Sequence, residues 1–174
     1  ELLQRYGEAF DAGYRETHDS AQAIEDIREI ERLLEGGGIG MALYRPPGSP
    51  ASNIRFKVYH LDTAVPLSDA LPLFEHMGFR VMDEIPHDVI LAPEPGRDQG
   101  RKVMIHDFGL ESRDGGTVNL EAINDNLKDA FDRVWHGDTE SDGLNALVSG
   151  GGLTWREVVI LRAYAKFLRQ AGIA

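Results

Sequence analysis

Few residues in this chain have the type and spacing to do chemistry. Cysteine is absent, which excludes disulfides, iron–sulfur ligation and thiol catalysis and fits a reducing compartment. No serine lies in a nucleophile-elbow context. The six histidines (His18, His60, His76, His87, His106 and His136) show no i, i+4 spacing with an acid between them of the kind that grips zinc. His60 and His106 fall on predicted strands and could face each other across a sheet. Asp83-Glu84, His87-Asp88 and His106-Asp107 are neighbours in sequence, but strand alternation sends neighbours to opposite faces, so they read as solvated edge or turn residues. Gly36-Gly37-Gly38-Ile39-Gly40 follows a helix and precedes a strand, the reverse of a dinucleotide loop, and reads as a helix stop. Gly150-Gly151-Gly152 does precede a helix. There Thr154 and Glu157 form a capping box that takes up the first-turn amides, and Glu157 repels an anion. One ligand candidate remains, the loop Asp62-Thr63-Ala64-Val65-Pro66-Leu67-Ser68. It joins a strand end to a helix start, where backbone amides can meet an amino-acid carboxylate. Asp62, Thr63, Val65 and Ser68 are its expected ligand-facing residues; no catalytic, cofactor-binding or metal residue is assigned.

The elements that must position this loop follow from periodicity. Leu2, Tyr6, Ala9, Phe10 and Gly13 have helical spacing. After a break at Thr17-His18-Asp19, with Asp19 or Ser20 as cap, Ile24, Ile27, Ile30 and Leu34 continue it to the Gly36–Gly38 stop. Ile39–Arg45 reads as a strand, followed by a Pro- and Gly-rich loop. Asn53–Asp62 alternates Ile54, Phe56, Val58 and His60 against Arg55, Lys57 and Tyr59, which predicts one solvated face. Leu67, Ala70, Leu71, Phe74 and Met77 trace a helix capped by Ser68 and stopped by Gly78, with Pro72 in its first turn. Phe79–Ala92 and Arg101–Glu111 read as strands joined by a turn over 93–100. Asn119–Trp135 is a helix with Leu120, Ile123, Leu127, Ala130, Phe131 and Val134 on one face and a solvated acidic face at Asp125, Asp129 and Asp132. A short helix near Asp142–Val148 precedes the last one.

The central order, strand-helix-strand-strand-helix with a leading strand, predicts an α+β fold: a ferredoxin-like antiparallel sheet with two helices on one face and N- and C-terminal flanking helices. The usual last strand is missing, and Ile39–Arg45 is expected to fill its place.

Composition bounds the function. A hydrophobic fraction of 42% and a charged fraction of 27% are those of an ordinary globular chain. No run of about 18 apolar residues exists to span a membrane, and no signal-peptide pattern opens the chain. A net charge of -11 repels a phosphate backbone, so nucleic acid is not an expected partner.

The last helix, bounded by Gly152 and Gly172, carries a narrow basic stripe (Arg162, Lys166, Arg169) on an otherwise apolar surface: Trp155, Val158, Val159, Ile160, Leu161, Tyr164, Phe167 and Leu168. The basic residues suit the helix dipole, and Trp135 and Trp155 read as packing anchors. So apolar a helix is expected to be covered on more than one side. The chain stops two residues later, which suggests a piece of something larger.

The run Trp155-Arg156-Glu157-Val158, Leu161-Arg162-Ala163-Tyr164-Ala165-Lys166, Leu168-Arg169-Gln170 resembles the W-R-E-V-x-x-L-R-A-Y-A-K-Y-L-R-Q block of the large bacterial NAD-specific glutamate dehydrogenases. Leu71–Glu84 resembles that family's L-P-x-L-E-N-M-G-L-R-V-x-D-E, Ile105-His106-Asp107-Phe108 its I-x-D-F strand, Trp135–Glu140 its W-x-G-x-x-E, and Leu144–Val148 its F-N-x-L-V. Val58–Asp62, Pro66-Leu67 and Gly78–Val81 resemble the ACT pattern, with Leu67 where that pattern has the glycine that lets an amino acid approach. The resemblance implies a noncatalytic regulatory or architectural, ACT-like segment of an oxidoreductase that converts glutamate to 2-oxoglutarate. NAD would belong to the parent enzyme and no cofactor to the segment. It implies a helical part at 1–36, an ACT-like part at 37–137, and a helical part at 138–174 leading to the next domain. The implied partners are other domains and subunits of the same cytoplasmic homo-oligomer, with an amino-acid effector in the sensing case. A freestanding ACT-like sensing or protein-interaction domain is the alternative. Leu67 favours packing over sensing.

Overall fold

Capping chemistry sets the helix boundaries in the computed structural model, which describes residues 2–93 and 100–173. Asp19 accepts from the Gln22 amide at 2.9 Å while the Gln22 side chain accepts from the Asp19 amide at 3.0 Å. That capping box opens α3 (Ser20–Gly36), and Gly37, at φ 68°, closes it. Before it lie α1 (Leu2–Tyr6) and α2 (Ala12–Thr17). The single helix expected through Leu2–Gly13 is therefore broken. Asp11 caps α2 by accepting from the Tyr14 amide at 2.7 Å, and Phe10 forms a β-bridge with Val89. A tertiary pairing has overridden helical spacing there.

The strands are β1 (Gly40–Tyr44), β2 (Asn53–Leu61), β3 (Phe79–Ile90) and β4 (Lys102–Ser112), with α4 (Leu67–His76) after β2 and α5 (Leu120–Trp135) after β4. They form one antiparallel sheet in the order β1-β2-β4-β3. β1 pairs with β2, Gly40 opposite Tyr59 and Tyr44 opposite Arg55. In a ferredoxin-like sheet the place beside the first strand belongs to the last one; here the leading strand holds it, as expected. The fold is α+β and ACT-like, with flanking helices. The turn expected at 93–100 falls, for 94–99, outside the described residues.

Two expectations about these elements fail. Pro72 is not in the first turn, because α4 starts at Leu67 rather than after Ser68. Ser68 lies inside the helix, and the missing Pro72 amide leaves its exposed carbonyl to water. The face of β2 carrying Lys57 and Tyr59 is not solvated either: the two residues are 2% and 0% exposed.

The residues separate into two units. The first comprises Glu1–Tyr44, Arg55–Pro66 and Asp83–Gly109. Its apolar cluster gathers Tyr6, Phe10, Tyr14, Ile30, Leu33, Tyr59, Val89, Leu91, Val103 and Ile105. This cluster buries Tyr59, whose face of β2 alternation had assigned to water. The second unit comprises Arg45–Ile54, Leu67–Met82 and Leu110–Ala174. It holds a 3₁₀ turn (Gly143–Asn145), α6 (Ala146–Gly151) and α7 (Trp155–Gln170). Phe74 packs on Phe131 at 5.0 Å between ring centres, and Phe131 stacks on Trp135 at 6.0 Å. Gly78, at φ 87°, lets its backbone approach α6. A Cβ there would meet Ser149 Oγ at 3.0 Å and the Ala146 Cβ at 3.2 Å.

Candidate functional site

The loop expected to meet a ligand leaves β2 through Asp62, which holds a left-handed φ of 60° without being glycine. Its amide donates to the Lys102 carbonyl at 2.9 Å, and its Oδ1 accepts from the Lys102 amide at 3.3 Å. Thr63 Oγ1 lies 2.9 Å from His60 Nδ1. The Val65 amide, buried, donates to His106 Nε2 at 3.1 Å. Because Nε2 accepts, Nδ1 carries the proton of the neutral ring and donates to Glu84 at 2.7 Å. Ser68 Oγ bonds Asp69 at 3.2 Å, within α4. The loop is thus tied inward: the Val65 amide that a carboxylate would need is held by a buried imidazole.

A larger polar constellation lies in the first unit and was not foreseen. Asp26, 3% exposed, accepts from Tyr14 Oη at 2.5 Å, Tyr59 Oη at 2.7 Å and Lys57 Nζ at 2.5 Å. Asp107, 2% exposed, accepts from Tyr44 Oη at 2.6 Å and Arg55 Nε at 2.8 Å, with His18 Nε2 at 3.8 Å. Arg55 also reaches Asp83 at 2.8 Å. Burial, then the adjacent Asp26 carboxylate, pushes the Tyr14 and Tyr59 hydroxyls well above the ordinary tyrosine range. Burial and Asp107 do the same to Tyr44. Burial pushes Asp107 up as well, but His18, Tyr44 and Arg55 outweigh it and hold the carboxyl below its usual value. Each carboxylate has a cation and at least one hydroxyl, so the cluster is charge-matched and internally hydrogen-bonded, as a structural network must be. It presents neither a free nucleophile nor a base poised toward solvent.

The sequence neighbours His106-Asp107 were expected at a solvated edge. Both are buried, and each pairs across strands, His106 with Glu84 on β3 and Asp107 with Arg55 on β2. Alternation does send them to opposite faces, and both faces are covered. His60 and His106, which could have met across the sheet, end on different partners. Among the described residues no group of three or more His, Asp or Glu side chains stands close enough to hold a metal.

Family profiles described as Glutamate dehydrogenase, helical motif 2, Glutamate dehydrogenase, ACT3 domain, and Glutamate dehydrogenase, helical motif 3 match residues 1–33, 38–123 and 139–174. NAD-specific glutamate dehydrogenases from Halomonas elongata and Pseudomonas aeruginosa are 37% and 36% identical over 169 residues, 97% of this chain. That from Mycobacterium tuberculosis is 32% identical over 96% of it. The chain belongs to the large NAD-specific glutamate dehydrogenase family. It spans 10% of the length of each of these relatives.

In this glutamate dehydrogenase segment the second unit is organised by a residue read from the sequence as part of a narrow basic stripe. Arg162 is 5% exposed. Its Nε and one terminal nitrogen grip Asp142 at 2.7 and 3.1 Å, and the same nitrogen reaches the Asn145 side chain and, at 3.3 Å, the Glu140 carbonyl. Lys166 pairs with Glu140 at 2.5 Å. The Arg162 guanidinium holds the Asp142 carboxyl below the usual range. α7 therefore packs through Val158 and Arg162 while Ile160, Leu161, Tyr164, Phe167 and Leu168 stay exposed. The expected cover on more than one side is not found among the described residues. Trp155, expected as an anchor, is half-buried, with Arg133 and Arg156 over its ring at 5.6 and 5.2 Å. A signal for the Arg162 hub was present: Asp142 and Asn145 stand three apart just upstream, the right types for a guanidinium, but nothing in the spacing said they would meet it.

Proposed function

We propose that this segment is a noncatalytic, architectural piece of an NAD-dependent glutamate dehydrogenase, whose parent converts glutamate to 2-oxoglutarate, ammonia and NADH. One observation carries the architectural role: the outward apolar face of α7, formed by Ile160, Leu161, Tyr164, Phe167 and Leu168. Exposed apolar surface of this kind marks a site of contact, and relatives ten times as long as the matched region supply the rest of a polypeptide to cover it. The partners in this reading are other domains of the same protein and its other subunits. The division at 1–36, 37–137 and 138–174 belongs to the same proposal, with the middle part as the ACT-like unit. The inward-tied loop supports packing over sensing, as does Leu67 in place of glycine.

The test is a thermal-shift panel of the amino acids on the 174-residue chain, with a parallel assay for glutamate-dependent NADH. The architectural reading expects no stabilisation and no NADH. NADH formation would overturn the noncatalytic assignment. Stabilisation by one amino acid would favour a sensing role at Asp62, Thr63, Val65 and Ser68. The left-handed Asp62 is the observation that favours that second reading, since strained backbone gathers at ligand sites. Sensing predicts that Thr63→Ala abolishes the shift.

A further inference from the structure

The side chains of His18 and His87 are 5% and 4% exposed, and each has an Nε2 atom without a hydrogen-bond partner. Their rings meet edge to face at 5.2 Å. His18 also stacks on Tyr14 at 4.1 Å, and His87 meets the edge of the same ring at 5.3 Å. Buried polar atoms without partners are few in folded proteins and ask for a reason. The position of the pair suggests one. His18 closes α2 and His87 lies on β3, beside the contacts that fasten the N-terminal helical stretch to that strand. These are the Phe10–Val89 bridge, the Ile90 amide on the Ala9 carbonyl at 2.9 Å, and the Asp88 amide on Asp11 Oδ2 at 3.0 Å.

Two carboxylates stand near the pair, Asp11 at 3.6 Å from His87 Nδ1 and Asp107 at 3.8 Å from His18 Nε2, and the other charges around it are matched. From α3 comes Asp26, matched by Lys57 of β2. Asp107 of β4 is matched by Arg55 of β2 and bonded by Tyr44 of β1. Asp11 keeps its charge while it caps the Tyr14 and Asp88 amides, and its side chain is partly open to water. On β3 itself Asp83 pairs with Arg55, Glu84 with His106 and Asp88 with Lys102. Neutral, the two imidazoles pack edge to face as aromatic rings; a cation on His87 loses its water in a site 4% exposed, with the partly solvated Asp11 carboxylate beside it.

We propose that the His18–His87 pair is an acid-sensitive latch: neutral, it holds α1 and α2 on β3, and protonation of His87 releases them. Burial, with Lys57 and His18 adding to it and Asp11 and Asp107 opposing, keeps the His87 imidazole below the ordinary histidine range. The sign follows. A histidine whose folded value is lowered contributes stability that is complete above about pH 6.5 and is lost as pH falls through the folded value.

Hydrogen exchange on the 174-residue chain between about pH 7.5 and pH 5 tests the latch. Exchange rates at Asp88 and Ile90 are expressed as protection relative to an unstructured peptide at the same pH. Below about pH 6.5, protection is expected to fall by up to about tenfold per pH unit at these two amides, while the β1–β2 ladder keeps its protection. In His87→Phe, which retains the ring packing, the slope is expected to vanish. His87→Gln provides the same readout without a ring should the Phe variant not fold. Unchanged protection across the range would overturn the latch. So would a slope that survives in both variants, or loss at all amides together.

Discussion

Asp26 and Arg162 show how a charged side chain becomes the centre of a packed unit. Asp26 sits on the buried face of α3 with Ile30 and Leu33, where a carboxylate is costly unless donors surround it. Two tyrosines and Lys57 do so. Lys57→Met is expected to destabilise the chain by about 3–5 kcal/mol, because it strands a buried carboxylate; urea denaturation monitored by tryptophan fluorescence and circular dichroism measures it. A change of less than about 1 kcal/mol would mean that the tyrosines alone satisfy Asp26. Arg162→Ala removes the donor to Asp142 and Asn145. Asp142 is 39% exposed, so water recovers part of the loss, and a cost of about 2–3 kcal/mol is expected. Arg169→Ala, on the exposed end of the same helix, should stay within about 0.5 kcal/mol in the same titration.

At the scale of elements, the Asp19 and Thr154 caps were legible, the Ser68 cap was not borne out, and the covering of faces was not legible. Thr154 and Glu157 form the box read from their spacing, at 3.3 Å for the Glu157 amide and 2.8 Å for the return bond. Asn119, read as the start of α5, caps it, and Gly37 and Gly172, read as helix stops, both take a positive φ. Thr154→Ala is expected to cost about 1 kcal/mol, read as a lowered urea midpoint with unchanged slope. Caps are legible because both partners lie within a few residues of one another. Lys57 and Tyr59 were assigned to water because alternation reports only that a strand has two faces; which faces are covered depends on α2 and α3, distant in sequence. The broken N-terminal helix has the same cause, since the Phe10–Val89 bridge joins residues that periodicity cannot connect.

For the whole molecule, the outward apolar face of α7 is the feature on which the proposed architectural role rests. Phe167→Glu and Tyr164→Glu should leave the isolated chain within about 0.5 kcal/mol of its stability, because both residues are 64% exposed. In the full-length enzyme the same changes are expected to weaken assembly, seen as a shift to smaller species in analytical ultracentrifugation. Unchanged assembly would remove the architectural role of this face. The sequence by itself determined the α+β order of elements, the helix stops, the absence of thiol chemistry and, through the Trp155–Gln170 block, the family. Each of these is written in local spacing, composition or a contiguous run of residues. Only the tertiary structure decided that β1 takes the sheet position of a missing last strand, that Asp26 and Asp107 are buried and paired, and that Arg162 faces inward while the apolar side of its helix faces out. Those outcomes depend on residues far apart in the chain meeting in space, where the cost of burying a charge is set by partners that spacing along the sequence does not name.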